Sequence, residues 1–106
     1  MLPQRHRLRT RAEYTSVMKA GFRVSQPTLV MYARVSSFPR FGLIVSKAIG
    51  GAVQRNRVKR VLRHAAAPLL GSATPMDVVV RALPQESYSG LSEDLRQAWV
   101  RVEAKL

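Results

Sequence analysis

The 106-residue sequence contains no cysteine, which excludes both a disulfide framework and thiolate metal sites. Acids are nearly as scarce: six Asp and Glu stand against eighteen Lys and Arg, for a formal net charge of +12 and a pI near 11.6. Long apolar runs are missing as well. The longest, such as Leu43-Ile44-Val45 and Val78-Val79-Val80, are far too short to cross a bilayer. Met1 to Thr10 carries Arg5, Arg7 and Arg9, but no apolar stretch follows, so no signal peptide is expected. The two histidines, His6 and His64, lie far apart in sequence, and neither has a carboxylate close by. The one adjacent acid pair, Glu93-Asp94, is explained by its place in the first turn of a helix. Gly50-Gly51 lacks the rest of a phosphate-binding pattern and reads as a turn. These absences argue against a self-contained active site and against a cofactor bound by the chain itself. A cytoplasmic protein is the default expectation.

What the sequence does contain is enough for one fold. Hydrophobic residues make up 46% of it, an ordinary share for a globular chain and too high for a disordered basic tail. A chain of this length buries roughly 60–70% of its unfolded surface, so residues 1–106 are expected to form a single domain. Thr10-Arg11-Ala12-Glu13 reads as a capping box opening a helix over Arg11–Ala20, with Tyr14, Val17 and Met18 on one face and Gly21 as its stop. Strands are expected at Phe22–Ser25 and at Leu29–Val35. In the second, Leu29, Met31, Ala33 and Val35 alternate with Val30, Tyr32 and Arg34. Phe41–Ser46 is apolar enough to be a central strand. A helix over Ala52–Ala67 ends or kinks near Pro68, Leu70–Pro75 connects, Asp77–Arg81 forms a fourth strand and Gly90–Lys105 a last helix. That helix carries Leu91, Leu95, Ala98 and Val102 as its buried stripe, with Trp99 at the edge of the core. The order is αβββαβα: an α/β (α+β) sandwich on one four-stranded sheet.

The charge is unevenly distributed. Between Tyr14 and Met76 there is no acid, whereas ten basic residues fall there. Such a field repels itself and is suited to a polyanionic partner. It is densest in Arg55-Asn56-Arg57-Val58-Lys59-Arg60-Val61-Leu62-Arg63. On a helical wheel Arg55, Asn56, Lys59, Arg60 and Arg63 fall within an arc of about 140°, with Arg57 at its edge. Val58, Leu62, Ala65 and Leu69 gather opposite, with Val61 beside them. A merely solvated face normally mixes Glu with Lys. Here Arg55, Lys59 and Arg63 are like charges at successive i,i+4 steps, an unfavourable arrangement unless a polyanion neutralises it. Arginine suits that role because its planar fork takes phosphate oxygens two at a time. Tyr32 beside Arg34 on one strand face offers a second surface, of the kind that stacks on unpaired bases; Tyr14 and Phe22 could extend it, and each of these aromatics, Tyr32 included, could instead belong to the core.

Arg40-Phe41-Gly42-Leu43-Ile44-Val45-Ser46-Lys47 followed by Ala52-Val53-Gln54-Arg55-Asn56-Arg57-Val58-Lys59-Arg60-Val61-Leu62-Arg63 resembles the signature of the ribonuclease P protein family. Leu2-Pro3 to Arg9, Glu13-Tyr14 before Gly21 and Asp77-Val78-Val79-Val80 extend the resemblance over nearly the whole chain. It implies a protein subunit that assists a large catalytic RNA, which uses Mg²⁺, in removing the 5′ leader of precursor tRNA. By that resemblance Arg55, Asn56, Arg57, Lys59, Arg60, Arg63 and Lys47 contact the catalytic RNA. Tyr14, Met18, Phe22, Tyr32 and Arg34 line the leader cleft, and the fold includes a left-handed βαβ crossover. Its partners would be the catalytic RNA and precursor tRNA, with no membrane and no obligate protein partner. The chain departs from the family pattern at Ala48, often lysine, at Gly51, often asparagine, and at Met18, commonly aromatic. Two other readings follow from the residues alone. One is a ribosomal or other structural RNA-binding protein. The other is a peripheral membrane protein, for which the apolar face of the basic helix lacks the Trp or Phe that interfacial insertion uses.

Overall fold

The computed structural model describes residues 6–70 and 74–105. Part of the expected connector, residues 71–73, and the start of the basic N-terminal stretch, residues 1–5, lie outside them. The elements run α1 (Arg11–Ala20), β1 (Phe22–Gln26), β2 (Leu29–Val35), β3 (Arg40–Ile44), a 3₁₀ turn (Lys47–Ile49), α2 (Ala52–Leu70), β4 (Met76–Ala82) and α3 (Leu91–Glu103). The αβββαβα order is the expected one.

The capping box forms in full. Thr10 Oγ1 accepts from the Glu13 amide at 3.2 Å, and Glu13 Oε1 accepts from the amides of Thr10 and Arg9 at 2.9 and 2.8 Å. Free amides at a helix start are thereby satisfied. At the far end the Gly21 N–H closes on the Val17 carbonyl at 2.8 Å.

The sheet order is β1-β2-β4-β3; β1, β2 and β4 pair antiparallel, and β3 lies parallel to β4. β3 is therefore an edge strand and not the central one its composition suggests. Its apolar character has another cause. Phe41 faces the main core, and the outer side of the strand is partly covered by the chain around Arg7, where the Leu8 N–H bonds the Phe41 carbonyl at 3.0 Å. The strand also stops at Ile44, two residues early, and the chain tightens into the 3₁₀ turn. Gly50 ends that turn at φ 144°, a conformation that disfavours any side chain.

One face of the sheet holds the main core. Val24, Leu29, Met31, Ala33, Phe41, Val78 and Val80 meet Val58, Leu62 and Ala66 of α2 and Leu91, Leu95, Ala98, Trp99 and Val102 of α3. The centre of the α2 stripe is Val58, Leu62, Ala66 and Leu70; Ala65 and Leu69, expected at its centre, are only partly buried. The helix runs through Pro68 to Leu70. Pro68 lies on its exposed face along with His64, so the carbonyl that loses its donor is on the side where water can serve it. Trp99 is fully within the core. Asp94 does more than complement the α3 dipole, since its Oδ2 accepts from the Thr28 hydroxyl at 2.6 Å and the Thr28 amide at 3.0 Å. It fastens the start of α3 to the β1–β2 turn.

On the opposite face a smaller cluster, Leu8, Val17 and Val79 with Tyr14, Met18, Tyr32 and Ile44 around it, joins α1 to the sheet. The sheet is thus covered by α2 and α3 on one side and only in part by α1 on the other.

Candidate nucleic-acid interface

Burial of Val58, Leu62, Ala66 and Leu70 determines what α2 shows to solvent. Asn56, Arg57, Arg60 and His64 are exposed, and Arg55, Lys59 and Arg63 are half-buried along one flank. The expected arc is therefore split: one row projects freely, and the other leans toward β3. Lys47 is exposed in the 3₁₀ turn just before the helix. No acid lies within α2, and Asn56, Arg60, Arg63 and His64 line a shallow cavity of about 290 Å³. His64 also belongs to this face, and its spacing four residues after Arg60 is its only mark in the sequence.

The second surface is built from the pleat. Register places Tyr32 opposite Val79 and Gly42 opposite Val79 on its other side, so Tyr32, Val79 and Gly42 form one row across the sheet on the face toward α1. The missing side chain of Gly42 is what lets α1 settle. A Cβ there would come within 2.6 Å of the Tyr14 ring and hydroxyl, so the phenol lies directly on the β3 backbone. Burial raises the Tyr14 pKa above its ordinary value, while the Leu43 backbone and the Arg63 charge pull it down. Tyr14, Met18 and Ile44, with Arg9, Arg11 and Thr15, line an open cavity of about 520 Å³. Arg9, Arg11 and Ile44 join the expected residues here; the alternation of arginines running into the first residue of α1 is the sequence signal for the first two.

Of the residues expected in this cleft, Phe22 is not brought to it, and Arg34 reaches its face already engaged. Phe22 pairs with Ala33, and Val24 with Met31; Ala33, Met31 and Val24 all belong to the main core. Alternation therefore puts Phe22 on the opposite face of the sheet, 42% exposed, and Arg23 is the residue beside Tyr32. Arg34 is on the cleft face, but its guanidinium is engaged: it donates to the Ser16 hydroxyl and pairs with Asp77 at 3.4 Å.

The two surfaces meet. Arg7, Leu8, Tyr14, Phe41, Gly42 and Leu43 line a cavity of about 260 Å³ together with Lys59 and Arg63 of α2. Tyr14 is thus the border between the aromatic cleft and the basic helix. Among the described residues no three metal-ligating side chains come together, and no helix is long and apolar enough to cross a membrane.

The family profile described as Ribonuclease P matches residues 2–103. The chain is 43% identical over 115 aligned residues to the ribonuclease P protein component of Mycolicibacterium paratuberculosis, covering 98% of this chain and 97% of that one. It is 45% identical over 107 residues to that of Mycobacteroides abscessus, covering 92% and 84%. In three dimensions it is similar to the RNase P protein of Staphylococcus aureus (TM-score 0.82, 24% identity, 92% and 97% covered). The RNase P protein of Thermotoga maritima is also similar (TM-score 0.69, 23% identity, 94% and 96% covered).

Proposed function

The chain belongs to the ribonuclease P protein family, and from that premise we propose that it is the protein subunit of a ribonucleoprotein that removes the 5′ leader of precursor tRNA. In this reading the exposed row of α2, Asn56, Arg57 and Arg60 with Lys47 beside it, binds phosphates of the catalytic RNA, and Arg55, Lys59 and Arg63 reinforce it from the flank. The single-stranded leader lies in the cleft between α1 and the sheet, against Tyr14, Met18 and Tyr32. The chemistry belongs to the RNA subunit and its Mg²⁺; the protein contributes binding and orientation. Phe22 and Arg34 are left out of the leader surface for the geometric reasons above.

The observation that supports this most is the junction at Tyr14. An acid-free basic helix and an open cleft lined by Tyr14 and Met18 share a wall, which suits one continuous polyanion passing from structured RNA to an unpaired strand. Reconstitution tests it. Nuclease-free protein alone should leave precursor tRNA intact. Adding it to a bacterial ribonuclease P RNA at low Mg²⁺ should stimulate leader removal well above the RNA alone. Tight RNA binding without stimulation would instead indicate a structural RNA-binding protein.

A further inference from the structure

One row along the sheet from Tyr32, Val79 and Gly42 lies a polar row. Register sets Arg34 opposite Asp77, and Asp77 opposite Arg40. These residues are two positions along their strands from Tyr32, Val79 and Gly42, and so on the same face. Asp77 is 2% exposed, the most deeply buried charged side chain among the described residues. It receives Arg40 with two hydrogen bonds, Nε to Oδ1 at 3.0 Å and Nη2 to Oδ2 at 3.1 Å, and Arg34 at 3.4 Å. Both arginines then continue upward to α1. Arg40 Nη1 donates to Glu13 Oε2, and Arg34 Nη1 donates to Ser16 Oγ. Glu13 is also the capping-box carboxylate, so the start of α1 is bound to three strands through one buried acid. Glu13 precedes Tyr14 and Ser16 follows Thr15, both of which line the cleft, while Arg34 and Arg40 stand two positions along their strands from Tyr32 and Gly42.

A network of this kind is not needed to hold the main core, which lies on the other face. Buried ion pairs cost desolvation and are weak evidence for a stability role on their own. What this one specifies is the height and direction of α1 over the Tyr32–Val79–Gly42 row. We propose that Asp77, through Arg34 and Arg40 and on to Glu13 and Ser16, is a positioning residue that sets the aperture of the cleft. It thereby controls discrimination between precursor and mature tRNA without touching either. The inference rests on the reading of the cleft as the leader site.

The test uses the reconstituted holoenzyme and measures affinity for precursor and for mature tRNA with Asp77→Asn, Glu13→Gln and Tyr32→Ala proteins. Asp77→Asn and Glu13→Gln should each reduce the precursor-to-mature affinity ratio, by roughly tenfold for the first, the scale of coupling within one contact network. Catalytic-RNA binding should stay within about twofold. Combined with Tyr32→Ala, Glu13→Gln should lose most of its separate effect, because both act through one cleft. Glu13 is partly exposed and its substitution leaves the buried acid in place, so this variant decides the matter if Asp77→Asn does not fold. An unchanged ratio in folded Glu13→Gln, with Tyr32→Ala still lowering it, overturns the clamp alone. An unchanged ratio in Tyr32→Ala as well overturns the leader-cleft reading beneath it.

Discussion

At the scale of single residues, two positions show how little separates packing from function. Gly42 is the seat of Tyr14. Gly42→Ala places a methyl group 2.6 Å from the ring, and the ring must leave because the strand backbone cannot. Overpacking of this kind costs about 1–3 kcal/mol, which urea denaturation should show, and precursor binding should weaken with it. Glu13 makes a prediction in pH. The amides of Thr10 and Arg9, aided by Arg40, hold its pKa at about 2, against an ordinary 4.5. A carboxylate depressed on folding adds stability that is fully present above its unfolded pKa and is lost as pH falls through the folded one. The melting-temperature gap between wild type and Glu13→Gln should therefore be constant above about pH 5 and close as pH falls from 4.5 toward 2. A gap independent of pH across that window would mean that the charge of Glu13 does not stabilise the helix start.

At the scale of elements, α2 separates the basic arc into two rows of different exposure. Arg57 and Arg60 project into solvent, whereas Arg63 leans into the cavity shared with Tyr14. Arg57→Gln with Arg60→Gln is thus the clean test of phosphate contact, since glutamine keeps length and helix propensity. RNA affinity should fall and its salt dependence become shallower, because fewer counterions are released. Stability should stay the same or rise slightly as like-charge repulsion is relieved. Filter binding across a salt series, alongside thermal melting, reads both. Unchanged RNA affinity at physiological salt would reduce this row to a solvated face.

At the scale of the whole molecule, a net charge of +12 on 106 residues opposes compaction of the chain in the absence of its partner. Asp77 and Glu13 neutralise Arg34 and Arg40 locally, but nothing on α2 does the same for its cations. The isolated protein should therefore melt at a higher temperature as monovalent salt is raised from low concentration, since screening weakens the repulsion. The same salt should weaken its complex with RNA. These opposite responses, read by circular dichroism and by binding, distinguish a fold strained by its own charge from one that is indifferent to it.

Local pattern by itself determined the seven elements and their order, the capping box at Thr10–Glu13, the buried stripe of α3 and the basic helix, because each is written in neighbours three or four apart or in strict alternation. Alternation even gave the two faces of β2, and with them Tyr32. What it could not decide was which strands are neighbours. That choice moved β3 to an edge, turned Phe22 away from the cleft with Val24, and set Arg34 and Arg40 on either side of Asp77. A strand's periodicity says which residues share a face, but only pairing across the sheet says what that face meets. The arginine that looked free beside Tyr32 therefore belongs to a buried carboxylate 43 residues away in the chain.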